Sequence, residues 1–197
     1  AEKLGSVTGV DITLPVEVQL DELRAVLPEA RRIGVVYNPE ETGYLVREAE
    51  EAAPALGLTI VGRRASSPGE VVAALEGLRG QIDALWMLPD VTILNFEIIK
   101  YMMLFEYENA IPLYAFSDKY LKNSALVGLG IDAGDMGAQA GEMANRILSG
   151  ADVADMPVAH ARRGELFLNV STARKLGVEL PDEALERASK VFGEDRP

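Results

Sequence analysis

Short apolar runs alternate along most of the chain with longer segments that have the periodicity of a helix. The apolar runs occupy 33–37, 58–61, 84–88, 112–116 and 125–129, and the helical segments that follow them occupy 42–56, 68–78, 91–108, a short stretch from Ser117, and 133–148. Strands joined through helices pair in parallel, and the helices cover both faces of the sheet. The pattern therefore predicts an α/β fold, a doubly wound parallel sheet in a three-layer α/β/α, Rossmann-like arrangement.

Both ends of the chain depart from this repeat. An extended piece at 6–14 precedes a helix at 16–27, and a polar, irregular stretch covers 151–163. A second extended piece follows at 164–170, and a charged helix begins near Asp182. These end segments are typical of added strands or of arms that reach another part of a protein. The first ten residues lack the basic and apolar regions of a secretion signal, which indicates either a cytoplasmic protein or a processed or truncated form.

Composition excludes several functional classes. Hydrophobic residues make up 48% of the 197 residues, enough for a sizeable core, and the net charge is −12. Such a charge repels nucleic acids, so we expect no nucleic-acid partner. The chain has no cysteine and one histidine, His160, so we expect no metal site. His160 is predicted to be a solvated loop residue, and no phosphate-binding loop or catalytic group is evident, so we expect neither cofactor nor catalytic residues.

Polar and aromatic residues follow the predicted strands at their carboxyl ends. In an open parallel sheet, ligands bind at that edge. The candidate ligand-binding residues are Tyr37, Asn38, Glu41, Thr42, Asp90, Thr92, Phe116, Ser117, Asp118 and Asp132. The alternative for Asp90, Ser117 and Asp132 is a purely structural role as helix N-caps. Because four such loops converge on one edge, a cleft for a small molecule is favoured for the set.

The side chains expected at this cleft indicate a class of ligand. Carboxylates predominate, and the aromatic residues expected at the lip are Tyr37, Tyr44, Phe116 and Tyr120. This combination suits a ligand that carries an ammonium group or several hydroxyls and stacks on a ring. Gly128, Gly130 and Ala133 match the spacing of a dinucleotide-binding fingerprint, but the match lies in the last strand–helix unit, and Asp132 would face the pyrophosphate.

Several short motifs resemble one known family in order and spacing. They are Val7–Val10, Leu27–Pro39, Ile111–Pro112, Gly130–Asp132, Gly141–Ala144, Leu168–Val170 and Ala173–Val178. The family is that of the ABC-transporter substrate-binding proteins of the tryptophan- and tyrosine-binding type. The resemblance implies a periplasmic-binding-protein type I-like fold in which two Rossmann-like lobes close on a ligand. It also carries the ligand-binding role over to five candidates, namely Asn38, Asp90, Ser117, Asp118 and Asp132.

The same resemblance implies a domain organisation. Residues 1–15 are expected to form a crossover or hinge segment, 16–150 a ligand-binding lobe, and 151–197 a return strand and a helical tail. An N-terminal lobe is then absent from the sequence, so we expect either that lobe or a second copy of the chain, in a dimer, as a partner.

The predicted function is that of a non-enzymatic solute-binding component, or one lobe of it, in an ABC uptake transporter. Its ligand would be a small amino-acid-like or carboxylate- or amine-bearing metabolite, and its protein partner an ABC permease. The full-length form would be periplasmic or attached outside the cytoplasmic membrane. One alternative is a ligand-sensing domain of a signalling protein with the same fold. Another, less favoured because no nucleophile or phosphate loop supports it, is a flavodoxin-like enzyme.

Overall fold

A computed structural model describes residues 7–92 and 95–193. The strands are β1 (Val10–Asp11), β2 (Arg32–Tyr37), β3 (Thr59–Arg64), β4 (Ala84–Trp86), β5 (Leu113–Ala115), β6 (Val127–Ile131), β7 (Ala159–His160), β8 (Gly164–Asn169) and β9 (Lys190–Phe192). The α-helices are α1 (Val16–Val26), α2 (Gly43–Ala52), α3 (Pro68–Glu76), α4 (Phe96–Asn109), α5 (Ala133–Leu148), α6 (Val170–Leu176) and α7 (Asp182–Arg187). Short 3₁₀ helices occupy Ala53–Leu56, Asp118–Tyr120 and Val153–Asp155.

The predicted order of strands and helices is confirmed in the described residues, with boundaries shifted by a few residues. The helix expected over 91–108 begins at Phe96. Residues 93–94 of that predicted helix lie outside the described residues, as do residue 6 of the first extended segment and the tail from 194. Two elements have no counterpart in the predicted list, α6 and the strand β9. The strand β7 lies within the stretch expected to be irregular.

Contacts divide the chain into two compact units. Residues 1–15 group with 130–165, and residues 16–129 group with 166–197. Helix α5, which the predicted segments placed with the ligand-binding lobe, therefore groups with the first fifteen residues. The predicted domain boundaries stay a prediction, and the division by contact falls inside strands β6 and β8.

The main sheet has the strand order β3–β2–β4–β5–β6–β8–β9. The register from β3 to β6 is parallel throughout. Strand β8 runs antiparallel to β6, because the amide of Asn169, at the end of β8, donates to the carbonyl of Leu126, just before β6. Strand β9 pairs in parallel with β8. The predicted α/β fold class is confirmed, but the sheet is mixed and mostly parallel rather than wholly parallel.

The central strands are buried on both faces, as expected of a parallel sheet covered by helices. Ile33, Val35 and Val36 of β2 are fully buried, and so is Trp86 of β4, as predicted. Helix α2 buries Leu45, Val46 and Ala49, while Glu48 and Glu50 on its other face are exposed. The 3.6-residue spacing of apolar side chains therefore decides which side of the helix meets the sheet.

Glu106 is a carboxylic acid within this core. Its side chain has no exposed surface, and its Oε1 accepts hydrogen bonds from the amides of Leu113 at 2.9 Å and Leu126 at 3.2 Å. Glu106 therefore joins α4 to the residues where β5 and β6 begin. Burial, opposed by these backbone hydrogen bonds, raises the pKa of Glu106 to about 8.

The smaller unit contains a two-stranded parallel pair, in which Val10 is in register with Ala159 and Asp11 with His160. His160 is half-exposed, as predicted, but its Nδ1 lies 2.9 Å from a carboxylate oxygen of Asp11. Helix α5 belongs to this unit and buries none of its 16 residues. No helix among the described residues is long and apolar enough to cross a membrane.

Candidate functional site

A buried carboxylate joins the loops that follow β2 and β4. Asp90 has no exposed surface. Its Oδ2 accepts hydrogen bonds from the amide of Asn38 at 2.8 Å and the hydroxyl of Thr42 at 2.5 Å, and its Oδ1 accepts one from the amide of Thr92 at 2.8 Å. We call these four residues the Asp90 network. It fixes two loops that lie about 50 residues apart in sequence but side by side at the carboxyl edge of the sheet.

Asn38 gives the loop after β2 its shape. Its carbonyl oxygen accepts hydrogen bonds from the amides of Glu41 and Thr42, and its Oδ1 accepts one from the amide of Glu40. This is the local bonding by which asparagine forms turns. The side-chain amide of Asn38 also donates to Thr92 Oγ1 at 3.2 Å, which adds a second link to the loop after β4.

The loop after β5 presents an aromatic ring, a hydroxyl and a cation. The rings of Phe116 and Tyr120 meet edge to face, with their centroids 5.1 Å apart. The ammonium of Lys119 lies 4.8 Å from the centroid of Tyr120 and 5.8 Å from that of Phe116. Ser117 is half-buried, and its Oγ accepts a long hydrogen bond of 3.5 Å from the Lys119 amide, so its own hydrogen remains available to an acceptor.

Two carboxylates at this edge remain accessible. Asp118 is partly exposed, and its Oδ2 lies 4.0 Å from the ammonium of Lys190 in β9. Glu41 is exposed, and its carboxylate has no hydrogen-bond or ion-pair partner among residues 7–92 and 95–193. Tyr37 is half-buried and packs on the backbone of β3, since a Cβ atom at Gly62 would lie 3.2 Å from Cε1 of its ring.

The sequence-predicted candidates thus fall into two groups at one edge of the larger unit. Asn38, Thr42, Asp90 and Thr92 bond to one another. Tyr37, Glu41, Phe116, Ser117 and Asp118 keep exposed or half-buried surface. Asp132 belongs to the smaller unit, where its side chain accepts a hydrogen bond from the amide of Asp135 and caps α5. Its ligand-binding role, like that of the other candidates, stays a prediction.

Sequence reasoning misplaced one residue at this edge and missed two. Tyr120, expected at the lip, is buried with 4% exposure because its ring packs against Phe116. Lys119 and Lys190 were not among the candidates. Lys119 follows a predicted strand end, so the rule that selected the other candidates could also have selected it. Lys190 is brought near Asp118 only by β9, for which the sequence carried no local signal.

The described residues form no group of three or more histidine, aspartate or glutamate side chains that could hold a metal ion. The edge instead offers separate carboxylates, two ammonium groups, a hydroxyl and a ring. This set of groups can bind a small zwitterion through charge-assisted hydrogen bonds and stacking.

The chain is similar to known proteins over most of its length. A family model described as ABC transporter substrate binding protein matches residues 2–192. A tyrosine-binding protein of Clostridioides difficile (strain R20291) is 29% identical over 177 residues, which are 89% of this chain and 51% of that protein. The chain thus spans about half the length of that relative.

Two solved structures are also similar. An ABC domain in complex with L-Trp from Streptococcus pneumonia is 27% identical, with a TM-score of 0.76 over 96% of this chain and 65% of that one. The ligand-free, open structure of a substrate-binding protein with adhesive properties from Clostridium difficile is 29% identical, with a TM-score of 0.73 over 94% of this chain and 62% of that one.

Proposed function

Since the chain belongs to the ABC transporter substrate-binding protein family, we propose that it is the ligand-binding part of a solute receptor for an ABC uptake transporter. The ligand would be a small amino-acid-like molecule bound at the carboxyl edge of β2, β4 and β5. The observation that carries this proposal is the Asp90 network, which holds two loops in fixed positions beside the accessible groups of the β5 loop. The relatives named for tyrosine binding and for a complex with L-Trp support an amino acid as the ligand class.

We propose different tasks for the two groups of residues. Both oxygens of Asp90 accept hydrogen bonds from the protein, so its role here is to position the loops. The ammonium of the ligand would be held by Asp118, which keeps exposed surface. Ser117 would donate its hydroxyl hydrogen to the ligand carboxylate, and the ammonium of Lys119 would lie near that same carboxylate. Phe116 would stack on the apolar part of the ligand.

Replacing Ser117 with alanine tests this assignment. We expect affinity for the preferred amino acid to fall by roughly 10- to 100-fold, the loss of one hydrogen bond to a charged group. The measurement is isothermal titration calorimetry of the full-length protein with L-tyrosine and L-tryptophan. Lys122→Ala is the matched control, because Lys122 is exposed just before β6, at the other edge of the sheet. Equal affinities for the wild type and Ser117→Ala would contradict the assignment.

The smaller unit supports a second part of the proposal, that it packs against a further α/β lobe or a second copy of the chain. A parallel strand pair covered on both faces is the stable arrangement, and two strands alone are marginal. Helix α5 turns Ala140, Gly141 and Ala144 to solvent, and Leu148 is 85% exposed. The proposed receptor, with both of its lobes, would lie outside the cytoplasmic membrane. It would deliver its ligand to a permease.

We expect the 197-residue chain by itself to form a dimer, because association covers this face of α5. Multi-angle light scattering measures the mass directly. The double variant Ala140→Arg/Ala144→Arg should be monomeric, since it places two cations on the associating face. A monomeric wild-type chain at high micromolar concentration would count against a self-associating face.

A further inference from the structure

A groove of about 620 Å³ lies at the edge of the larger unit opposite the candidate ligand site. It is bordered by the residues that precede β2, β4 and β5, and by the turn that follows α6. Because these strands are parallel, their beginnings lie at the edge away from the Asp90 network. A ligand at one edge and a partner at the other would therefore not compete for the same residues.

About half of the exposed lining of this groove is apolar. The apolar part comes from Leu27, Pro28, Ile111, Pro112, Leu176 and Val178 among others. Leu27 and Ile111 are held in place by the core, with 5% and 6% exposure, while Pro28 is exposed and Val178 is half-exposed. The groove thus has a fixed apolar floor and an accessible apolar rim, which suits the side chains of a partner segment.

The unpaired charges at the groove are negative. Glu29 and Glu179 are exposed, and neither carboxylate has a hydrogen-bond or ion-pair partner in the described part of the chain. Asp83 also borders the groove, but it is paired with Arg32 at 2.7 Å. The neighbouring cation Arg31 is engaged as well, since its guanidinium donates to the carbonyls of Pro28 and Ala30.

The end of helix α4 adds to this negative character. Helix α4 ends at Asn109, which lines the groove, and its last turn contains no basic residue. The C-terminal end of a helix carries a partial negative charge. We therefore propose that the groove is a docking surface for a polypeptide segment in which lysine or arginine is flanked by apolar residues. Its cations would meet Glu29 and Glu179, and its apolar side chains would cover the floor between them.

A second acidic cleft in the larger unit shows whether negative charge alone would favour binding of a basic segment. It has a volume of about 380 Å³ and is lined by Glu17, Asp21, Glu48 and Glu51, with Ala52, Ala55 and Leu56 beside them. If charge alone attracted a basic segment, this cleft with four carboxylates would bind it at least as well. The proposal instead requires the larger groove, because its apolar lining comes from four separate segments, at Leu27–Pro28, Ile82, Ile111–Pro112 and Leu176–Val178, whereas that of the second cleft comes from residues 52–56 alone.

The test is an NMR titration of the ¹⁵N-labelled chain with a capped hexapeptide of alternating leucine and lysine. We expect amide shifts at Ala30, Ala110 and Gly177, with saturation at or below about 1 mM peptide. The double variant Glu29→Lys/Glu179→Lys should weaken binding by about tenfold or more, because two attractions become repulsions. Replacing the lysines of the peptide with glutamine should also abolish the shifts.

The matched control is Glu48→Lys/Glu51→Lys, which makes the same change in net charge at the other acidic cleft. It should leave the affinity for the peptide within about twofold of the wild type. Equal weakening by the two double variants, or shifts centred on the other cleft, would show general attraction to an acidic protein and overturn the proposal. Absence of shifts at the groove would overturn it too.

Discussion

Replacing Asp90 with alanine is expected to lower the free energy of unfolding by about 3–5 kcal/mol, because three donors lose their acceptor and each buried donor left unsatisfied costs about 1–3 kcal/mol. The substitution leaves the amides of Asn38 and Thr92 and the hydroxyl of Thr42 without their acceptor. Urea unfolding followed by circular dichroism measures this loss. If the chain is part of the receptor that we propose, ligand affinity should also fall by more than about tenfold, because the two loops are no longer held together.

Two further variants test whether the loss of stability is specific to the buried carboxylate of Asp90. Asp118→Ala removes a partly exposed carboxylate whose ion-pair distance to Lys190 is 4.0 Å, so it should cost less than about 1 kcal/mol of stability. Asp90→Asn keeps the shape but loses an acceptor oxygen, so its stability should lie between those of the wild type and the alanine variant. Wild-type stability in Asp90→Ala would refute the structural role. Lower stability with unchanged ligand affinity would refute the positioning role alone.

Glu106 is expected to make the stability of the protein depend on pH. Because its pKa is raised from 4.5 to about 8, the folded state keeps a proton that the unfolded state releases in this range. The contribution of Glu106 to stability therefore falls as the pH rises from about 4.5 to 8 and is constant above that, with a full change on the order of 4–5 kcal/mol. Glu106→Gln removes the titration and keeps an oxygen for the amides of Leu113 and Leu126.

The measurement is urea unfolding of the wild type and Glu106→Gln at several values between pH 5 and about 9. The difference in unfolding free energy, variant minus wild type, should increase with pH up to about 8 and then level off. Taking the difference cancels the titration of the other carboxylates, which both proteins share. A difference that does not change with pH would show that Glu106 ionises in the folded state as readily as in the unfolded state.

The fold was predictable to the extent that it depends on local patterns. Apolar strands, the helical spacing of Leu45 and Ala49, and a proline at the start of α3 indicate the five strand–helix units that the structure contains. Strand β9 was not predictable in this way, because its three residues become a strand only by pairing with β8. The grouping of α5 with the first fifteen residues likewise depends on contacts between distant segments.

The candidate site, like the fold, was predictable only in part. The rule that ligands bind at the carboxyl edge of a parallel sheet selected the loops after β2 and β4, which the Asp90 network joins, but it also selected Asp132, which belongs to the smaller unit. It did not distinguish Asp90 from Asp118, since both are aspartates that follow a strand. One is buried under three donors and the other is partly exposed, and that difference is set by Asn38 and Thr42, about 50 residues away. Burial of a carboxylate is thus a property of its tertiary partners.

The central claim is that the carboxyl edge of the sheet binds an amino-acid-like molecule. The most direct test is an NMR titration of the ¹⁵N-labelled 197-residue chain with each of the common L-amino acids in turn, up to about 10 mM so that weak binding by the chain alone is detected. The account predicts that at least one of them shifts the amides of Asn38, Thr92 and Ser117 together and leaves those of Ala30 and Gly177 unmoved. Absence of shifts at this edge with every amino acid, or shifts confined to the opposite edge, would contradict it.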